Sequence, residues 1–170
     1  MAEKGKEEIL ERAYQVAKEY EKTCTGCAQS AVAGLLDVLR MENEDVFKAA
    51  SGLADGIGLS GDGSCGALTG CAMVIGLIFG RERKDHRNIL KPMKSYLLCK
   101  ELHNDFIQQY GTCRCYDIQK KLMGRTFNLM DPKDLEAAGS AGMMEHCSSV
   151  VGRAASKAAE IILREQEPSS

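Results

Sequence analysis

The chain has 170 residues, 44% apolar and 27% charged, a composition that excludes a disordered or fibrous protein. Net charge is −2 with a pI near 6.0, so no basic field draws the chain to nucleic acid or anionic lipid, and neither is expected as a partner. The length fits one helical domain over 1–170, with an ordered core expected at about 7–164 and a frayed tail at 165–170.

The first eight residues carry Glu3, Lys4, Lys6, Glu7 and Glu8, unlike the apolar stretch of a secretory leader. The most apolar run, Cys71 to Phe79, falls well short of the roughly 20 residues that a spanning helix needs. The reading is a cytoplasmic protein without membrane insertion. A reducing compartment keeps unligated thiols reduced, so eight cysteines there point to metal binding or redox chemistry.

In chain order, Ile9, Leu10, Ala13, Val16, Ala17 and Tyr20 recur with helical spacing. A break at Thr23 to Cys27 leads into a second helix with Ala28, Val32, Leu35, Leu36 and Leu39 on one face. Asn43 suits the N-cap of a third. Gly56 to Gly63 is a glycine-rich loop that lacks the lysine and the strand of a phosphate-binding loop; it reads as a turn that delivers Cys65. The fourth helix, about Gly66 to Gly80, is apolar nearly all round and therefore central. Its Gly66/Gly70 and Gly76/Gly80 pairs offer close approach to another backbone. Arg81 to Lys91 is a solvated charged connector.

A fifth helix follows from about Pro92 to Tyr110, with Tyr96, Cys99, His103, Phe106 and Tyr110 as its stripe. A short helical piece starts at Cys115. Arg125 to Gly142 reads as a loop with one turn of helix near Asp131 to Ala138. The last helix, about Gly142 to Arg164, aligns Met144, Cys147, Val151, Ala154, Ala158 and Ile161. With no alternating strand pattern, the fold class is all-α, a compact bundle of six or seven helices.

The cysteines fall as Cys24-Thr-Gly-Cys27, Cys65 and Cys71 around Gly-Ala-Leu-Thr-Gly, Cys113-Arg-Cys115, and single Cys99 and Cys147. Covalent haem is excluded because no histidine follows Cys27 or Cys115, and paired zinc-ribbon spacing is absent. Cys27, Cys65 and Cys115 each sit at a helix start, where free N–H groups and the helix dipole are expected to stabilise a thiolate and lower its pKa. Cys147 faces inward from the last helix. One cysteine from each of four helical regions can converge on a single centre in a bundle.

Gly26-Cys27-Ala28-Gln29-Ser30, Cys65-Gly66-Ala67-Leu68-Thr69-Gly70, Cys115-Tyr116-Asp117-Ile118 and Cys147 with Val151 and Ala158-Ala159-Glu160 resemble the C_GCAxxG_C_C family of redox-active proteins. The resemblance runs over most of the chain. That family is similar to the non-haem N-terminal part of split-Soret cytochrome c, and its members come mostly from anaerobic prokaryotes. It implies a cysteine-ligated iron–sulfur cluster, [2Fe-2S] favoured over [4Fe-4S], and a tendency to form a homodimer. Carried over by position, the metal ligands are Cys27, Cys65, Cys115 and Cys147, with Cys113 the alternative to Cys115. The backbone of Gly66, Ala67 and Gly70 is expected to approach that cluster. Cys24, Cys71 and Cys113 are additional thiols that leave a second site open.

The function expected is electron transfer or redox sensing with an unknown redox partner protein. Two alternatives stay open: a thiol–disulfide oxidoreductase using Cys24/Cys27 or Cys113/Cys115, and a structural zinc-binding protein.

Overall fold

The computed structural model describes residues 3–166. Its elements are α1 (Glu3–Cys24), α2 (Cys27–Leu39), α3 (Glu44–Ala49), a 3₁₀ turn (Ala50–Leu53), α4 (Gly66–Phe79), a second 3₁₀ turn (Arg83–Asp85), α5 (Met93–Tyr110), α6 (Cys115–Met123), α7 (Pro132–Ser140) and α8 (Met143–Gln166). Among the described residues there is no strand, only an isolated antiparallel bridge between Ser64 and Arg114. The fold is all-α, as the periodicity predicts, with eight α-helices among the described residues instead of six or seven. The additional helix is α7, read from the sequence as a single turn. Asp131 accepts hydrogen bonds from the N–H groups of Lys133 and Asp134, and Pro132 occupies the first turn. That start signal carries the helix through nine residues. Helix α8 continues to Gln166 and takes in the first two residues expected to fray; 167–170 lie outside the described residues.

Helices α1, α2, α4 and α8 pack on one another, α5 lies against α4 and α8, and α6 and α7 lean on α8. Their shared interior is built largely from small side chains: Ala13 and Ala17 of α1, Ala28 and Ala31 of α2, Ala67 of α4, and Ala154, Ala155, Ala158 and Ala159 of α8 are all buried. Small residues let helix axes approach closely, so a core can close with few aromatic rings. Helix α4 sits between α2, α5 and α8 with Gly66, Ala67, Leu68, Gly70, Cys71, Val74 and Ile75 buried, which makes it the central helix that its apolar sequence implies.

The two glycine pairs of α4 behave differently. A Cβ on Gly70 would stand 2.4 Å from the Ala28 carbonyl oxygen, so this glycine sets the α2–α4 approach. A Cβ on Gly76 would meet nothing within 4 Å, and Gly80 caps its own helix, so the second pair makes no such contact. On α5 the buried face is Ser95, Leu98, Leu102, Phe106 and Tyr110, whereas Tyr96 and His103 are exposed. The leucines outcompete the tyrosine and histidine for the interior because their burial removes only apolar surface from water.

The segment after the first 3₁₀ turn is strained. Asp55, Gly56, Ile57, Gly58 and Leu59 all have positive φ, from +46° to +71°. A left-handed conformation costs about 1–2 kcal/mol at each residue carrying a Cβ, so Asp55, Ile57 and Leu59 are held there by their surroundings. The turn closes through N–H donation from Gly61 to the Asp55 carbonyl (2.8 Å) and from Gly63 to the Gly56 carbonyl (3.0 Å). Its effect is to bury the Asp55 side chain while Ile57 stays exposed.

Three substitutions are expected to show this in denaturant unfolding. Gly70→Ala should destabilise the fold by about 2–3 kcal/mol through overpacking against Ala28, whereas Gly76→Ala should be neutral or stabilise by up to about 1 kcal/mol. Ile57→Gly should stabilise by about 1 kcal/mol, because relief of the left-handed strain outweighs the loss of a mostly exposed side chain.

Candidate redox centre

Three helix starts meet at one place. Cys27 is the first residue of α2, Cys65 is the N-cap of α4, and Cys115 is the first residue of α6. The Ser64–Arg114 bridge ties the last two together: the Cys65 N–H donates to the Cys113 carbonyl (2.7 Å) and the Cys115 N–H to the Gly63 carbonyl (3.0 Å). Helix α2 is drawn in by Gly66, where a Cβ would lie 2.3 Å from Cys27 Sγ; glycine is required for that contact. Cys147 comes from the second turn of α8. All four cysteines line a single cavity of about 390 Å³.

The other proposed participants divide. Gly66 touches the Cys27 sulfur, the Ala67 N–H bonds to the Cys65 sulfur, and Gly70 instead packs on Ala28. Cys24 is exposed at the end of α1. Cys71 is fully buried in the main core, and Cys113 is half-buried with the Ser64 hydroxyl 3.8 Å from its sulfur. None of these three lines the cavity. All eight cysteines are free thiols.

Backbone N–H groups do reach the sulfurs. Cys27 receives those of Ala28 and Asp55, the latter at 3.5 Å, and Cys65 those of Ala67 and Leu68. The net effect on the thiols is nevertheless opposite to the lowering expected from helix starts. Burial pushes Cys27 up to about 11 and Cys147 up to about 12, and also raises Cys65 and Cys115 well above the ordinary thiol range. Cys27 and Cys147 keep some exposure, but they line the enclosed cavity, so desolvation outweighs the N–H groups. Neighbouring groups add to it: Cys27 and Cys147 oppose ionisation of Cys65, and Cys65 and Asp55 oppose that of Cys115. Without a bound cation the four sulfurs are protonated at neutral pH.

Three side chains that the sequence reading did not single out complete the lining. Asp55, delivered by the left-handed turn, accepts the Cys115 thiol at 2.9 Å and the Gln119 amide at 2.7 Å, both on Oδ1. Gln119, almost fully buried, also accepts the Phe127 N–H on Oε1 at 3.0 Å, which links the cavity to the small satellite core of Phe127, Ala138 and Met143. Glu21 of α1 is buried, and burial raises its carboxyl to about 7. Glu21 Oε2 and Asp55 Oδ2 are buried without any hydrogen-bond partner. Glu21 left a trace in the sequence, since it continues the Ala13–Ala17 spacing into the buried face of α1. Asp55 and Gln119 left none, because a loop aspartate and a helical glutamine are ordinary surface residues.

A family profile described as "Putative redox-active protein (C_GCAxxG_C_C)" matches residues 25–161. The chain belongs to this family. No curated protein and no solved structure matches the chain. The matched span contains Cys27, Cys65, Cys115 and Cys147 together with Asp55 and Gln119, but not Glu21, which lies before it. Among the described residues, no group of three or more His, Cys, Asp or Glu side chains is set to hold a metal ion. No described helix is long and apolar enough to cross a membrane.

Glu21 sets a pH dependence. Its folded-state carboxyl, at about 7, holds a proton more tightly than the ordinary value of 4.5 in the unfolded chain. The folded state therefore binds more protons between those values, and stability falls as pH rises from about 4.5 to 7, by about 3 kcal/mol in all. Glu21→Gln should remove that slope and make the metal-free protein about 2–3 kcal/mol more stable at pH 8, read from urea unfolding across pH.

Proposed function

We propose that the cavity holds an iron–sulfur cluster, with Cys27, Cys65, Cys115 and Cys147 as ligands, and that the protein transfers electrons or senses redox state. The observation that supports this reading most is that four cysteines, drawn from four helices, line one enclosed cavity in a member of a redox-active family. Four thiolates suit a [2Fe-2S] or a [4Fe-4S] cluster equally by number, and the family resemblance favours [2Fe-2S].

The lining suits such a group chemically. The donors are four soft sulfurs, a ligand type that suits an iron–sulfur centre. Gly66 leaves no side chain between the α4 backbone and Cys27, and the N–H groups of Ala28, Asp55, Ala67 and Leu68 already point at sulfur. Hydrogen bonds of that kind raise a cluster's reduction potential. When bound, the cluster would supply a site for reversible one-electron exchange. The chain's own part is to shield the sulfurs from water, to release the thiol protons as ligands form, and to hold the Cys115 sulfur through the Gln119 amide, which donates to it at 3.6 Å. Electrons would pass to and from a separate partner protein in a reducing, cytoplasmic setting.

Thiol–disulfide exchange has less support. It needs an accessible thiolate near neutral pH, and burial holds Cys27 near 11. Cys115 is buried and hydrogen-bonded to Asp55, while Cys113 lies outside the cavity.

Protein isolated and reconstituted without oxygen should be brown and contain iron and sulfide in comparable amounts, with an EPR signal on reduction. Cys65→Ser should abolish or strongly perturb assembly, and Cys99→Ser, outside the cavity, should leave it nearly intact. Colourless protein after reconstitution, or equal loss in both variants, would refute the assignment.

A further inference from the structure

The cavity holds more space than a small cluster fills. At about 30 Å³ per non-hydrogen atom, roughly the share of a water in the liquid, 390 Å³ corresponds to about 13 such atoms. A [2Fe-2S] core brings roughly four inorganic atoms, which leaves room for about nine. The cavity opens to solvent beside the exposed Leu135, so this space is accessible to a guest.

The walls describe that occupant. Beside the sulfurs the lining includes Leu122, Met123, Leu129, Leu135, Met143 and Met144, an apolar surface whose methionines adapt their shape to a guest. No lysine, arginine or histidine lines the cavity, so nothing there would neutralise a phosphate or carboxylate. Glu21 and Asp55, each more than nine-tenths buried, present Oε2 and Oδ2 without a partner, which calls for a hydrogen-bond donor. The way in is marked by Leu135 of α7, which lines the cavity and is still 54% exposed. Helix α7 belongs to the satellite core, separate from the main one.

We propose that the cavity binds, beside the redox centre, a compact, mainly apolar and non-anionic small molecule with a hydroxyl head, admitted past Leu135, its hydroxyl meeting Glu21 or Asp55. The sulfur side of this inference rests on the cluster reading above. The geometry selects by charge and size: an alcohol of about eight non-hydrogen atoms fits, and its carboxylate analogue is rejected.

The test uses the full chain, reconstituted, oxidised and assayed for iron and sulfide, with methionine methyl groups observed by NMR. Benzyl alcohol should give saturable shifts at Met123, Met143 and Met144 and none at Met41. Benzoate should bind at least about tenfold more weakly. Leu135→Trp, which narrows the mouth, should weaken benzyl alcohol by about tenfold, and Leu97→Trp, on exposed α5 surface, should leave it unchanged. Absence of saturable shifts in protein carrying iron and sulfide, equal binding of benzoate, or indifference to Leu135→Trp each overturns the proposal. Failure to take up iron would sink the cluster reading instead, and the same titration in that sample would still decide whether the alcohol binds.

Discussion

Four thiols and two carboxyl groups share one cavity whose lining, among the described residues, contains no basic side chain, and much of the local structure answers to that. Each of these groups is costly to bury in its charged form. In the metal-free protein the cost is avoided by keeping protons: the thiols are raised far above their ordinary range and Glu21 titrates near neutrality. A cationic centre offers the other escape, replacing thiol protons with metal–sulfur bonds. With the proposed cluster the cavity would stand between protonated and metallated states, which would couple cluster assembly to pH and to folding.

The rest of the fold supplies what such a place needs. The left-handed turn at Asp55–Leu59 stores strain in order to set Asp55 between Cys27, which takes its N–H, and Cys115, which donates to its carboxyl. Gln119 anchors the same carboxyl and reaches the satellite core through Phe127. Strain of this kind persists only where surrounding contacts over-determine it, and it gathers at functional sites. The alanine-lined contacts of α1, α2, α4 and α8 provide the rigid frame, so the sulfurs are presented by helix ends and not by mobile loops.

Free backbone donors and desolvation act in opposite directions on the same sulfurs, and their balance follows from burial. N–H groups at helix starts favour thiolate, but the cavity removes water from all four thiols at once, and each neighbour's negative charge would add to the penalty. This makes the thiols poor nucleophiles on their own and well-protected ligands once a metal is present, a distinction that spacing motifs such as Cys-Thr-Gly-Cys do not draw.

Local pattern was enough for the all-α class, the central place of α4 and the helix-start positions of Cys27, Cys65 and Cys115, because apolar periodicity and capping residues act over a few positions. The short α7 was under-read, since its Asp131-Pro132 start sits in a polar stretch with little apolar periodicity, and the α5 stripe was displaced toward Tyr96 and His103. That Cys27, Cys65, Cys115 and Cys147 face one cavity, that Gly66 and not Gly76 marks a close approach, and that Asp55, Gln119 and Glu21 join the lining, only the tertiary structure decided. Those facts depend on contacts between residues tens of positions apart, made by packing and by the Ser64–Arg114 bridge, for which the order of residues along the chain carries no local signal.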